Sequence, residues 1–175
     1  MTNKEFEQQF IPLSGALANY LKSICHDQHL VEDIVQEVYL KLWQKRKQID
    51  HVKDARAYLF KTGRNKLIDT GYYKHRIINY SDELINDNIE ISYDNIVKSI
   101  EQKEMVSILL KFMDQLPAIQ KELIHLRDFC CFNNDEVANI IGESEVYVRV
   151  NLSRGRKKLK EMMMKNFQIE EYEIR

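Results

Sequence analysis

Apolar residues recur three and four apart through most of the chain. Phe6, Phe10, Leu13, Leu17, Tyr20, Leu21 and Ile24 predict an amphipathic helix over 5–25, bent near Pro12. A second stripe, Val31, Ile34, Val35, Val38 and Leu42, predicts a helix over 30–47. Leu59, Gly63 and Leu67 sit at four-residue spacing in a third helix over 55–74. Glycine inside a helix costs about 1 kcal/mol against alanine, so close packing is expected at Gly63. Asn79, Ser81, Asn86, Asn88, Ser92 and Asn95 then break the period, which marks 77–103 as a linker. Helical spacing resumes with Val106, Leu109, Phe112, Met113 and Leu116. Pro117 opens a further helix whose core is Ile119, Leu123, Ile124 and Leu126.

The stretch 116–160 carries the most local detail. Asn133 with Glu136 three residues on is a capping-box start, and Val137, Ile140 and Ile141 share one face of the short helix 135–141. Gly142 suits the left-handed turn that closes it. Ser144 caps the next helix, whose first turns carry Val146, Val148, Val150 and Leu152. The pattern is helix-turn-helix, followed by the basic tail Arg154-Gly155-Arg156-Lys157-Lys158-Leu159-Lys160. A plain helical hairpin with a solvated basic tail is the alternative.

With only 5 glycines and 2 prolines in 175 residues, turns are few and an all-α fold is expected. The organisation expected is two small helical domains, 1–76 and 104–175, joined by the flexible acidic linker 77–103. Taken as about 25 residues extended at roughly 3.3 Å each, that linker would reach about 80 Å, enough to span two turns of duplex. The net charge of −1 does not itself point to nucleic acid, but its distribution is uneven. From Lys41 to Arg76 eleven cations face three acids. Cys25, Cys130 and Cys131 leave one thiol over and show no C-x-x-C spacing, which fits a reducing cytoplasm. No secretory leader pattern or membrane-length apolar run is seen, so no direct membrane insertion is expected. Cys25-His26 with His29 lacks a second ligand pair, and no metal or other cofactor is expected.

Two surfaces offer chemistry. On the helix 30–47, Asp33, Gln36, Glu37, Leu40 and Trp43 form a second strip beside the core stripe. An acidic strip with apolar anchors suits a basic protein partner, though Trp43 equally completes a core. In the basic run, Tyr58, Phe60, Tyr72 and Tyr73 interleave with cations, as stacking on unpaired bases requires. A solvated basic face is the alternative.

Three segments resemble the extracytoplasmic-function (ECF) sigma factors of bacterial RNA polymerase, in order along the chain. Val31-Glu32-Asp33-Ile34-Val35-Gln36-Glu37-Val38-Tyr39-Leu40-Lys41-Leu42-Trp43 is similar to the helix that grips the clamp coiled coil of the largest polymerase subunit. Ala57-Tyr58-Leu59-Phe60-Lys61-Thr62-Gly63-Arg64-Asn65-Lys66-Leu67-Ile68-Asp69 resembles the helix that melts the promoter and reads the −10 element. The third runs from Leu116-Pro117 to Leu152-Ser153-Arg154-Gly155-Arg156-Lys157-Lys158-Leu159 and resembles the −35 reading domain.

This resemblance implies an initiation factor, not an enzyme, that binds core polymerase at the clamp coiled coil and flap, directs it to −10/−35 promoters and opens the duplex. It assigns Asp33, Gln36, Glu37, Leu40 and Trp43 to polymerase. Asn65 and the loop 49–54, with Asp50, His51 and Lys53, would pocket a flipped −10 base; Arg56, Tyr58, Lys61, Arg64 and Lys66 would line the strand. Ser144, Tyr147, Arg149, Val150, Asn151, Ser153 and Arg154 would face the −35 groove, with Arg156 and Lys157 on the backbone. An anti-sigma factor is an implied further partner. The chain departs from the family where Val150-Asn151 replace the usual Ser-Arg, where Gly63 and Gly155 replace alanine, and where the basic run after Asp69 thins to Gly71-Tyr72-Tyr73-Lys74. Asparagine favours adenine edges and valine a thymine methyl, so a different −35 sequence is expected. The rivals are a stand-alone helix-turn-helix regulator, which needs no acidic strip, and a helical adaptor with protein partners only, which lacks salt-sensitive DNA binding.

Overall fold

The computed structural model describes residues 1–49, 54–72 and 100–167. Every element among them is helical. Helix α1 (Asn3–Phe10) starts at a capping box: Thr2 Oγ1 accepts the Glu5 N–H at 3.2 Å, and the Glu5 carboxylate accepts the Thr2 N–H at 2.7 Å. The bend expected at Pro12 is a full break, a 3₁₀ turn over Ile11–Leu13 before α2 (Ser14–Ile24). Asp27 caps α3 (Gln28–Gln44) by accepting the Leu30 N–H at 3.0 Å, and Asp54 caps α4 (Ala55–Asp69) by accepting the Ala57 N–H at 3.0 Å. These caps satisfy backbone donors that a helix start otherwise leaves orphaned.

Helix α4 is shorter than its periodicity implies. Thr70 donates its hydroxyl to the Leu67 carbonyl at 2.6 Å, and Gly71 turns the chain at φ +79°. Tyr72 then folds back, its hydroxyl accepting the His26 N–H at 3.0 Å, so it pins the exit of α4 to the α2–α3 turn. Phe10, Leu17, Tyr20, Leu21, Ile34, Leu42, Leu59, Phe60 and Leu67 make the fully buried centre of this first body, and Val35 is only half-buried. At Gly63 a Cβ would stand 2.8 Å from Leu17 Cδ1, which is the close helix contact expected there.

The second body begins with α5 (Ile100–Met113), whose first turn lies inside the segment read as linker. Pro117 precedes α6 (Ala118–Ile124), which runs into a π-helical turn over His125–Phe129, closed by the Cys130 N–H to the His125 carbonyl at 2.9 Å. Helix α7 (Asn134–Ile141) has the anticipated box, with Glu136 N–H to Asn133 Oδ1 at 2.9 Å and Asn133 N–H to Glu136 Oε2 at 2.6 Å. Gly142 closes it in the left-handed region at φ +77°. Helix α8 (Glu145–Phe167) follows, its first turn held by Ser144 Oγ accepting the Tyr147 N–H at 3.1 Å. Val148, Leu152 and Leu159 face the core. Gly155 lets α8 cross α6 closely, since a Cβ there would lie 2.9 Å from Ile124 Cδ1 and 3.1 Å from Gln120 Cβ.

The two bodies touch: α4 packs on α7, and α2 on α6. Between them the Glu122 carboxylate, 0% exposed, receives the Tyr20 hydroxyl at 2.7 Å and Arg64 Nε at 2.7 Å. Phe60 meets Phe132 edge-on at 5.0 Å. His125 lies in this seam, stacked on Phe129 at 5.3 Å and 6.1 Å from the Tyr20 ring, with no partner for its Nδ1.

Burial, and then the Lys121 charge, push the His125 imidazole down from 6.5 to about 4. Between those values the unfolded chain binds a proton that the folded chain refuses. The resulting stability is present above pH 6.5 and lost as pH falls toward 4. The loss expected over that window is up to about 3 kcal/mol. Urea denaturation at pH 7 and near pH 4 measures it; His125→Leu should flatten the difference, and an unchanged difference would contradict this account.

Candidate nucleic-acid interface

Helix α3 buries Val31, Ile34, Val38 and Leu42, which turns Asp33, Gln36, Glu37 and Leu40 outward. Leu40 is 58% exposed, an apolar side chain standing in water among acids. Trp43 behaves differently. It is half-buried, edge-on to Phe6 at 5.2 Å, and roofed by Arg46, whose guanidinium carbon lies 4.3 Å from the ring centroid. Arg46 is itself held by Trp43 O at 2.8 Å and Asn3 Oδ1 at 3.0 Å. Trp43 thus packs against the core and keeps one flank at the surface.

A cleft of about 490 Å³ runs between α3 and α4, lined by Glu37, Leu40, Tyr58, Lys61, Asn65 and Lys66 among others. Asn65 is exposed on its wall, and Tyr58 is half-buried beside it. Glu37 pairs with Lys66 across the cleft, and that hydrogen bond, then the carboxylate charge, pushes the Lys66 ammonium above its ordinary range. Glu37 and Leu40 of the strip expected to meet polymerase therefore share one groove with Tyr58, Lys61, Asn65 and Lys66 of the set expected along the strand. Asp50, His51 and Lys53 lie outside the described residues.

The other side of α4 is not open. Arg56 donates to the Cys130 carbonyl and lies 4.3 Å above the Phe132 ring. Lys61 Nζ donates to Asn139 Oδ1 at 2.8 Å, and Arg64, 8% exposed, binds Glu122 and the Ile141 carbonyl at 3.3 Å. Phe60 is wholly buried, and Tyr72 is committed to its structural hydrogen bond. In this arrangement neither ring is offered to a base. Burial pushes the Cys130 thiol up to about 12, against the lowering effect of Arg56, so it stays a neutral packing group.

On α8 the buried stripe leaves Val146, Val150, Ser153 and Lys157 on the opposite side, all exposed. Arg149 and Arg156 share one flank, seven residues apart. Arg149 reaches Glu145 at 3.4 Å with both side chains about half exposed, and Arg156 is paired with Asp128 at the end of α6's π turn. Asn151 donates its amide to the Tyr147 carbonyl at 3.0 Å. Ser144, Tyr147 and Arg154 are exposed beside them. Such a helix can lie in a major groove with apolar and polar side chains at the bases and cations at the phosphates.

Sequence reasoning placed Tyr20 in the core but missed the partner of its hydroxyl, and it missed Glu122 and Asn139, which with Tyr20 join the two bodies. The one available signal was weak: Glu122 is an acid directly before the apolar pair Leu123-Ile124, on a helix otherwise turned inward. Among the described residues no helix is long and apolar enough to cross a membrane, and no group of three His, Cys, Asp or Glu side chains could hold a metal.

Comparison with known proteins bears on both bodies. The family models for Sigma-70 region 2 and Sigma-70, region 4 match residues 12–76 and 107–159. ECF RNA polymerase sigma factor SigM of Bacillus subtilis is 28% identical over 160 residues, spanning 91% of this chain and 94% of that protein. RNA polymerase sigma factor SigZ of the same organism is 23% identical over 147 residues, 84% of this chain and 80% of its own. In fold, the chain is similar to the sigma factor RpoE of Bartonella quintana, solved in complex with the anti-sigma factor NepR, at a TM-score of 0.70 and 24% identity over 91% of this chain and 97% of that one. CnrH, solved with the cytosolic domain of CnrY, gives 0.64 at 22% identity, covering 93% and 89%.

Proposed function

The chain belongs to the sigma-70 family as an extracytoplasmic-function sigma factor, an initiation factor that binds core RNA polymerase and directs it to specific promoters; from that premise we propose which of its residues do the work. Asp33, Gln36, Glu37, Leu40 and the surface flank of Trp43 dock on the polymerase. The observation that carries this reading is an exposed acidic strip with a bare leucine in the same chain as a helix-turn-helix. A stand-alone DNA-binding regulator has no use for that strip.

Asn65 and Tyr58 receive a −10 base in the α3–α4 cleft, together with the segment around Asp50, His51 and Lys53. Arg56, Lys61, Arg64 and Lys66 follow the displaced strand. On α8, Val146 joins Val150 as an apolar reader of thymine methyls, Asn151 and Ser153 add polar edges, and Arg149 and Arg154 reach into the groove, while Arg156 and Lys157 meet phosphates. The domain limits 1–76, 77–103 and 104–175 are part of the same proposal. So are a site of action in the cytoplasm, the absence of chemistry of the chain's own, and control by an anti-sigma protein, which the RpoE–NepR complex supports by analogy.

Glu37→Lys should weaken association with core polymerase about tenfold or more, because it reverses a charge on the strip and sets it against Lys66. Unchanged pull-down with unchanged circular dichroism would contradict the docking assignment. Arg149→Ala should cost about 1–3 kcal/mol on the chain's own −35 sequence and relax preference there. An equal loss on all sequences, measured as holoenzyme binding, would make Arg149 a phosphate contact instead.

A further inference from the structure

The outward side of α8 has a middle row and two flanks. At about 3.6 residues per turn, the positions opposite buried Val148, Leu152 and Leu159 are Val146, Val150, Ser153 and Lys157. Arg149 and Arg156 stand on one flank of that row, and Tyr147, Asn151 and Arg154 on the other. Two of the flanking polar groups are already engaged within the chain. Arg149 pairs with Glu145 at 3.4 Å, and the Asn151 amide donates to the Tyr147 carbonyl at 3.0 Å. The middle row has no such engagement at its start: Val146 is 59% exposed and Val150 41%, two isopropyl groups in water in a row that is otherwise polar. A helix of this kind reads bases with the residues near its beginning, so base edges meet valine first.

Among the groups that base pairs show in the major groove, the thymine 5-methyl is the one alkyl group; the others donate or accept hydrogen bonds. A valine set against a donor or acceptor strips its water and returns no bond, whereas against a methyl both surfaces leave water together. Helical residues four apart hold their Cβ atoms about 5–6 Å from each other, more than the rise of about 3.4 Å between successive bases, so the two valines cover neighbouring base pairs and not a single one. We infer that Val146 and Val150 are the specificity-determining pair of α8: they select −35 elements that set 5-methylpyrimidines, thymine in unmodified DNA, on neighbouring base pairs, and the side chains on the flanks refine that choice. This readout rests on the proposed seating of α8 in the −35 groove and specifies what is recognised there. The recognised group is the methyl and not the whole base. 5-Methylcytosine, with the same group at the same ring position, therefore replaces thymine in part.

Core polymerase carrying the full chain, with a duplex promoter that this holoenzyme selects from random sequence, provides the test. Competition binding compares the promoter with copies in which each −35 thymine is replaced by deoxyuridine, which removes the methyl and leaves every base-pair hydrogen bond in place. Each methyl under a valine should be worth about fourfold in affinity. Val146→Ala and Val150→Ala, at exposed helical positions where alanine is favoured, should bind the thymine and deoxyuridine promoters alike at the base pair each valine covered. At those base pairs a 5-methylcytosine–guanine pair should bind the wild type about fourfold tighter than cytosine–guanine, and the alanine variants equally. A selected −35 element without thymine would overturn the methyl readout. So would wild-type binding blind to deoxyuridine, alanine variants that still discriminate, or no gain from cytosine methylation. Lys157→Ala separates this from the seating of α8. A uniform loss on every promoter with silent methyls would remove the readout and keep α8 in the groove; unchanged binding with silent methyls would withdraw both.

Discussion

A carboxylate with no exposed surface needs compensation from its neighbours, and Glu122 finds it on the other half of the molecule. Leaving water costs a charged group several kcal/mol, and a buried pair recovers this only where the geometry is good and the remaining lone pairs are used. Here Arg64 supplies the opposite charge at 2.7 Å and Tyr20 a further donor at 2.7 Å. Such a pair adds little to stability over apolar residues of the same volume, but removing one member alone costs about 3–5 kcal/mol. Its value is in specificity. It fixes which face of α4 meets which face of α6, and the aromatic contact of Phe60 with Phe132 fills the space alongside.

That constraint divides the surfaces of the chain by use. Helix α3 shows its acids and Leu40 outward whether or not the bodies are joined, because its apolar stripe is buried within the first body. The long α8 is in the same position, anchored through Val148, Leu152 and the close crossing at Gly155, with its far side open. Helix α4, like α2, touches both bodies. One flank of α4 borders the cleft with Asn65, and the other is covered. The surfaces proposed for polymerase and for the duplex groove are open in this arrangement, and the flank of α4 that carries Arg64 is covered.

Most local features could be read from sequence because they depend on residues a few positions apart. The capping box at Asn133, the left-handed Gly142, the Ser144 cap and the close packing at Gly63 all follow from short-range stereochemistry. Less was legible where distant residues decide. Helix α4 stops at Asp69 because Thr70, Gly71 and the Tyr72–His26 bond turn the chain, against a periodicity that runs on. The π turn after α6 left no mark in the apolar spacing. Trp43 could not be assigned to core or surface without knowing that Phe6 and Arg46 enclose it. The largest gap was the partner of Arg64, Glu122, fifty-eight positions along the chain. Spacing within one helix carries no information about a partner on another body.

The family and the two surfaces proposed to face DNA make one claim: this chain gives a core polymerase its promoter choice and its melted start. Run-off transcription with purified core RNA polymerase lacking any sigma factor, on a library of linear duplex templates with randomised upstream sequence, tests it most directly. Addition of the chain should produce transcripts from discrete start sites whose templates share a −35 and a −10 element. Transcripts with no shared elements, or none above core alone while the chain still binds duplex DNA by itself, would contradict the account.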